Sequence, residues 1–426
     1  MISIGILKKS VKVLFIRGAG VLLLFMLSLF LTNFYSPEDV GRYDFVRATI
    51  MILSGASLIG TNQSIIYYSG VLKSKNSLSF IKNIYYKMVK MTGLICLLFL
   101  LAGAMISEQM INELFNKKDA YDLILSTIVA LFFYTITMLN IDTLRALDKT
   151  IVSELYRNIF RYLPVFVFSI ALFFAQKQEW LIEVFLGGFL LLFIATTIQT
   201  TALFKKFKDK TTNDNRFSYT EIFKRSYPMA LSAVAYFIMQ SVDIIILTAY
   251  EGYDKVAYYS IAVKLATVTA LALMSVNIVV APKIAEIYNN NDHGKLNKLI
   301  KDSSRIIFSI SIPILAILFV FSELMLSFFG ENYVLAKDAL SILLAAQFFS
   351  SICGPGAIYL NMTGKQQKLN KILIAGLFIN VILNFVLIPS YGIEGAAIAT
   401  LISMLFWNSL IVSVIYKSDK IKIFIT

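Results

Sequence analysis

One histidine, two cysteines and two tryptophans occur in 426 residues, and only 15% of the chain is charged. Soluble domains carry about a quarter of their residues as Asp, Glu, Lys and Arg. The shortage of charge, beside 58% hydrophobic residues, excludes an ordinary soluble protein. Cys96 and Cys353 both lie in long apolar runs, so packed thiols are expected and no disulfide framework. His293 sits in the polar stretch "NNNDHGK" with no companion ligands, which leaves no metal centre to expect. A large outward loop is also missing. Membrane glycan polymerases and ligases carry their catalytic residues on such a loop, so no catalytic residue and no enzyme is read from this chain.

What the sequence has is apolar length. A spanning helix needs roughly 20 mainly apolar residues. Twelve stretches qualify, near 11–32, 43–70, 84–106, 120–141, 153–175, 181–204, 226–250, 256–280, 306–327, 337–362, 368–389 and 393–416. The first is too long for a secretory signal and has no small-residue cleavage site after it. The longest hydrophilic segment, 204–226, divides the spans six and six. The expected domains are an N-terminal six-helix bundle (1–204), a cytoplasmic linker (205–225) and a C-terminal six-helix bundle with a short cytoplasmic tail (226–426).

A net charge of +13 raises nucleic acid as a partner, and its placement removes it. With the N-terminus inside, all 39 Lys and Arg lie on inner flanks and loops except Arg42, Arg47, Lys117, Lys118, Lys177, Lys255, Lys264 and Lys337. That split obeys the positive-inside rule and puts both termini in the cytoplasm. The halves also resemble each other. "YSPEDVGRY" (35–43) follows the first span and "YEGYDKVAYY" (250–259) the seventh; "TLRALDK" (143–149) loosely matches "LNMTGK" (360–365). The six-span offset implies a parallel repeat, an arrangement used by secondary transporters.

Several stretches resemble one family. "NVILNFVLIPSYGIEGAAIATLIS" (380–403), with Asn380 and Asn384 on one face followed by Pro389, Gly392, Gly395, Ala396 and Ala397, is similar to the eleventh-to-twelfth span signature of polysaccharide flippases. "APKIAEIYNNNDHGKLNKLIKDSSRIIFSISIP" (281–313), "FFGENYVLAKDALSILL" (328–344), "SPEDVGRY" and "QSVDIIIL" (240–247) extend the likeness along the chain. The chain thus resembles O-antigen-type (Wzx-like) flippases of the multidrug/oligosaccharidyl-lipid/polysaccharide exporter superfamily. The resemblance implies an all-α integral membrane protein of twelve transmembrane helices, its two six-helix bundles forming a V around a central cavity. It implies a flippase that moves polyprenyl-pyrophosphate-linked oligosaccharide from the inner to the outer leaflet by alternating access. The implied partners are that lipid-linked substrate, membrane lipid and other glycan-assembly membrane proteins, in a bacterial cytoplasmic (inner) membrane. Independently, Pro389 is expected to end one helix, and Gly392 and Gly395 to bracket a tight outward turn. "CGPG" (353–356) should break span ten.

Charges within the spans give the candidate site. "VLFIRGAGVLLLF" (13–25) carries Arg17, and an arginine at a helix centre costs about 2.5–3.5 kcal/mol on translocon scales. Arg47 and Lys264 lie at similar depth in the corresponding spans two and eight. By resemblance, these three cations line the cavity and hold pyrophosphate, which the planar guanidinium fork suits. The alternative is structural: Arg17 and Arg47 snorkel to their interfaces, Asp44 neutralises Arg47, and Asp243 pairs with Lys264. Asp243 is also the candidate for coupling to H+ or Na+; no cofactor is expected. Arg42, Asp44 and Glu394, near the outer ends of spans two and twelve, are secondary candidates. Tyr and Phe rings, as in "AYYS", are read either as interfacial residues or as surfaces that stack on sugars. The rival reading is a cation-coupled multidrug exporter of the same fold, which favours an acidic cavity where this chain is basic.

Overall fold

A computed structural model describes residues 4–74, 80–205, 217–290, 292–421 and 423. Of the segments read above, linker residues 206–216 and the basic residues Lys75, Lys206, Lys208, Lys210, Arg216 and Lys422 lie outside them. The described chain is helical and contains no strand. Its contacts divide it into two units, Met1–Ser241 and Val242–Thr426.

The first unit contains α1 (Ile4–Phe34), α2 (Pro37–Leu58), α3 (Thr61–Ser74), α4 (Ile81–Met105), α5 (Glu108–Phe115), α6 (Ala120–Ala146), α7 (Thr150–Leu155), a π-helical turn (Tyr156–Phe160), α8 (Leu163–Phe174), α9 (Leu181–Phe204) and α10 (Tyr219–Met239). The second contains α11 (Val242–Tyr250), α12 (Tyr253–Thr267), α13 (Ala270–Asn289), α14 (His293–Val320), α15 (Ser322–Ser327), a 3-10 turn (Glu331–Ala336), α16 (Lys337–Cys353), α17 (Gly356–Met362) and α18 (Gln366–Asp419). Among the described residues, nine helices are long and apolar enough to cross a membrane, or ten when the bent pair Pro37–Leu58 and Thr61–Leu72 counts as one span. The twelve expected spans therefore do not map one to one onto helices. Span two is α2 and α3, bent by 43°; span seven is α10 and α11, and span eight is α12 and α13.

Local chemistry accounts for the breaks. Ser36 caps α2 by accepting from the Asp39 amide at 3.1 Å, with Pro37 in the first turn, and Glu38 and Asp39 complement the helix dipole. The helix ends where Ile59 and Gly60 adopt φ of 45° and 71°. A Cβ on Gly60 would stand 2.4 Å from the Ser226 carbonyl oxygen, so only glycine lets α10 approach this corner. In the second unit, "CGPG" separates α16 from α17 through Gly354 at φ 60°.

The helical run α18 is two arms. At Gly392, φ 52° and ψ −127° reverse the chain, and contacts step outward from it nearly symmetrically. Gly395 lies against the Leu387 carbonyl, Asn380 donates to Ser403 at 3.3 Å, and Gly376 lies against Trp407. This is an antiparallel helical hairpin. Pro389 does not end the first arm, contrary to the sequence reading. It sits inside the helix, and the reversal belongs to Gly392, whose backbone can adopt an angle that side chains resist.

Large apolar side chains remain on the outer faces: Leu22, Leu98, Ile198, Phe378 and Val386 are all exposed. Lipid is the solvent that tolerates such a surface. Many buried hydroxyls are satisfied within their own helices, as when Thr137, Thr143, Thr196 and Thr248 donate to the carbonyl four residues earlier. Cys96 and Cys353 are buried free thiols.

Candidate functional site

The first unit concentrates its intramembrane charge around the π-helical turn. Arg17 of α1 makes a two-point pair with Glu154 of α7: Nε donates to Oε2 at 2.9 Å and Nη2 to Oε1 at 2.8 Å. Asn158 also donates to Glu154 Oε2, at 3.0 Å. Gly20 permits the approach, since a Cβ there would stand 2.5 Å from the Asn158 carbonyl oxygen. One helical turn on, Arg157 donates to Asp142 of α6, and Asn62 reaches the same carboxylate at 3.4 Å. Arg161 donates to the Tyr134 hydroxyl at 2.8 Å and lies over the Tyr134 ring. The sequence reading counted Arg157 and Arg161 as topological charges of the inner flank; both instead turn onto α6. A π-helical turn carries an extra residue per turn, and such turns recur at functional sites.

The other predicted residues of this unit are already paired. Arg47 donates from Nε to Asp44 Oδ1 at 3.0 Å, and Asp44 is fully buried. Arg42 joins Asp119, Glu38 and Asp39 at 2.7, 2.9 and 3.4 Å. Deeper in the bundle, Asn140 accepts from the Tyr85 hydroxyl at 2.6 Å and donates to Thr196 and Thr197. That polar tie holds α4, α6 and α9 together in a medium without water.

The second unit centres its polar interior on Asp243. Asn384 donates to its Oδ1 at 2.8 Å; Tyr259 and Thr400 donate to its Oδ2 at 2.9 and 2.5 Å. The structural alternative drawn from the sequence pairs Lys264 with this carboxylate, whereas the groups bonded to Asp243 among the described residues are three uncharged donors. Asp243 occupies the first turn of α11 and Lys264 the last turn of α12, so each charge sits at the helix end whose dipole stabilises it. Asn384 also donates to the Asn380 carbonyl and side-chain oxygens, while its own Oδ1 is buried with no hydrogen-bond partner among the described residues. The result is a buried knot of oxygen atoms from α11, α12 and both arms of α18. Glu394 is half-buried just past the Gly392 reversal. No group of three or more His, Cys, Asp or Glu able to hold a metal occurs among the described residues. A groove of about 310 Å³ between α14 and α16 is lined by Ile312, Leu315, Phe319, Leu344 and Phe348; it carries no ionisable group.

Glu154, Asp142 and Tyr134 are absent from the sequence reading, and Arg161 enters it only as an inner-flank charge. Asn380 and Asn384 were visible as a motif, though not as partners of Asp243.

The chain can be compared with known proteins on this basis. It is 24% identical over 381 residues to the membrane protein MJ1068 of Methanocaldococcus jannaschii, covering 85% of this chain and 74% of that one. It is 27% identical over 186 residues to the probable low-salt glycan biosynthesis flippase Agl15 of Haloferax volcanii, covering 43% and 39%. It is also 27% identical over 173 residues to a putative O-antigen transporter of Shigella flexneri, covering 40% and 41%. Among solved structures, the lipid II flippase MurJ aligns with TM-score 0.75 at 17% identity over 95% of this chain and 87% of that one. An inward-facing multidrug resistance MATE transporter of the MOP superfamily aligns with TM-score 0.68 at 14% identity over 95% and 99%. At these identities the two structures establish the fold alone, which this chain shares with both transporters. The MatE family model matches residues 228–386. The polysaccharide biosynthesis protein model matches residues 6–288, about two thirds of the chain, and the protein belongs to that family.

Proposed function

We propose that this protein is a flippase for polyprenyl-pyrophosphate-linked oligosaccharide, carrying an O-antigen-like repeat unit from the inner to the outer leaflet of the bacterial cytoplasmic membrane by alternating access. The observation that carries the reading is the arginine-rich interior of the first unit. Placing guanidinium groups among apolar helices is costly, and among the described residues Arg17 and Arg47 are each paired with one carboxylate. Arg17 and Arg47, with Lys264 of the second unit, are proposed to take the pyrophosphate, their planar or compact charges matching its oxygens. Membrane lipid carries the prenyl tail, and other glycan-assembly membrane proteins are proposed to supply and receive the substrate. Asp243 is proposed as the group that responds to H+ or Na+, since a buried carboxylate among neutral donors changes charge state or binds a cation when one arrives.

The test is to deplete the protein in its host and locate the lipid-linked repeat unit. Accumulation facing the cytoplasm upholds flipping; accumulation facing outward contradicts it. A cation-coupled multidrug exporter is the second reading, favoured by the MatE match over residues 228–386. Export of organic cations without any effect on glycan would select it.

A further inference from the structure

We propose that Arg161, Tyr43, Tyr134 and the terminal nitrogens of Arg47 form an oxyanion receptor inside the first unit, suited to the pyrophosphate group. This rests on the flippase reading and deepens it, by naming groups that the family match does not assign.

Arg17, Arg42, Arg47 and Arg157 are each paired with a carboxylate. Arg161 differs: among the described residues no carboxylate reaches it. Its contacts are the Tyr134 hydroxyl at 2.8 Å and the rings of Tyr134 and Tyr162, at 5.4 and 5.7 Å from the guanidinium carbon. A guanidinium has five N–H donors, and this bond uses one. Because the Tyr134 hydroxyl accepts from Arg161, its own proton is left over. The Tyr43 hydroxyl, buried in a side chain only 2% exposed, has no partner among the described residues. Arg47 spends Nε on Asp44 and keeps its terminal nitrogens.

These groups converge. The charged and polar side chains that act electrostatically on the Tyr43 hydroxyl are Arg47, Asp44, Tyr162 and Arg161, and Asp44 is the carboxylate already bound to Arg47. An aromatic chain joins the two tyrosine rings: Tyr43 to Phe185 at 4.9 Å, Phe185 to Phe189 at 5.1 Å, and Phe189 to Tyr134 at 4.7 Å between ring centroids. The cluster thus offers guanidinium and phenol donors from α2, α6 and the end of the π-helical turn, and its only carboxylate is taken. Arg47 and Arg161 both stay partly exposed. A ligand that only accepts hydrogen bonds and carries negative charge matches this set; a neutral sugar brings donors of its own, and a cation is repelled. Phosphate oxygens meet both requirements.

The experiment measures binding to the full chain in phosphatidylcholine nanodiscs, using undecaprenyl pyrophosphate, undecaprenol and inorganic pyrophosphate as probes. The wild type is expected to retain undecaprenyl pyrophosphate over undecaprenol. Arg161→Gln should weaken that binding about tenfold, with Arg161→Lys in between, as loss of charge-assisted bonds predicts. Tyr43→Phe removes one oxygen and leaves the helix packing alone, so it keeps the test decisive if Arg161→Gln does not fold. Binding of the lipid alone assigns the ligand to a headgroup, and binding of inorganic pyrophosphate as well assigns it to the shared group; either upholds the receptor. Wild-type affinity in both Arg161→Gln and Tyr43→Phe, or in Tyr43→Phe alone where Arg161→Gln does not fold, overturns the receptor and leaves the flippase reading standing. A wild type that does not distinguish undecaprenyl pyrophosphate from undecaprenol overturns both.

Discussion

Arg17 and Glu154, 137 residues apart in sequence, are joined by two parallel hydrogen bonds of 2.9 and 2.8 Å. The carboxylate is 1% exposed as a residue, and the arginine side chain retains 38%. The burden of this pair therefore falls on Glu154.

Arg17→Ala should lower stability by about 1–3 kcal/mol, below the usual cost of breaking a fully buried pair because water or headgroups reach the arginine. Arg17→Ala with Glu154→Ala should recover much of it, since no lone carboxylate is then left behind. Thermal unfolding in detergent across the double-mutant cycle measures the coupling. If Arg17 serves substrate as well, the double variant should reach wild-type membrane levels and still lack surface glycan.

Gly395→Ala should destabilise more than Gly392→Ala. The added Cβ at Gly395 meets the Leu387 carbonyl oxygen at 2.5 Å, part of the opposing backbone, whereas at Gly392 it meets the end of the Glu251 side chain at 2.7 Å. Glu251 can swing aside, leaving chiefly the strain of the positive φ; a backbone cannot. Overpacking costs about 1–3 kcal/mol, and melting temperatures of the two purified variants should fall in that order.

Asp243→Asn preserves size but turns the acceptor of three donors into a neutral amide. The protein should reach the membrane, and its transport should stop responding to an imposed Na+ or proton gradient. Transport in proteoliposomes with and without each gradient checks this, and an unchanged gradient response removes Asp243 from the coupling role.

Ile423→Ala tests how the residues after α18 are held. Ile421 and Ile423 are 2% and 0% exposed within a cluster that includes Val280, Ile300, Leu360 and Ile415, and Asp419 pairs with Lys365 while accepting from Tyr359. Truncating a buried isoleucine costs about 2–5 kcal/mol, so this variant should unfold well below the wild type, while Lys417→Ala should change little.

Much of this was legible in the amino acids. Hydropathy gave the apolar helices, because a bilayer demands length and composition that few other structures need. The CGPG break and the turn near Gly392 followed from backbone chemistry. The bend at Ile59–Gly60 and the break between α12 and α13 were not legible, since a run of apolar residues reads alike whether straight or broken. Partners separated by long stretches of sequence were hidden for a different reason. Glu154 sits in "TIVSELYRN" like any polar residue at a helix start, and only packing brings α1 beside it. The bonds of Asp243 to Asn384, Tyr259 and Thr400 were hidden too, because depth fixes a level in the membrane and not a direction around the helix.

The most direct measurement places a fluorescent undecaprenyl-pyrophosphate-linked oligosaccharide in proteoliposomes and follows its exposure to a membrane-impermeant quencher. The account predicts protein-dependent movement between leaflets that falls sharply in Arg47→Ala and in Lys264→Ala at matched protein density. Movement that is independent of the protein, or that survives loss of both cations, would contradict it.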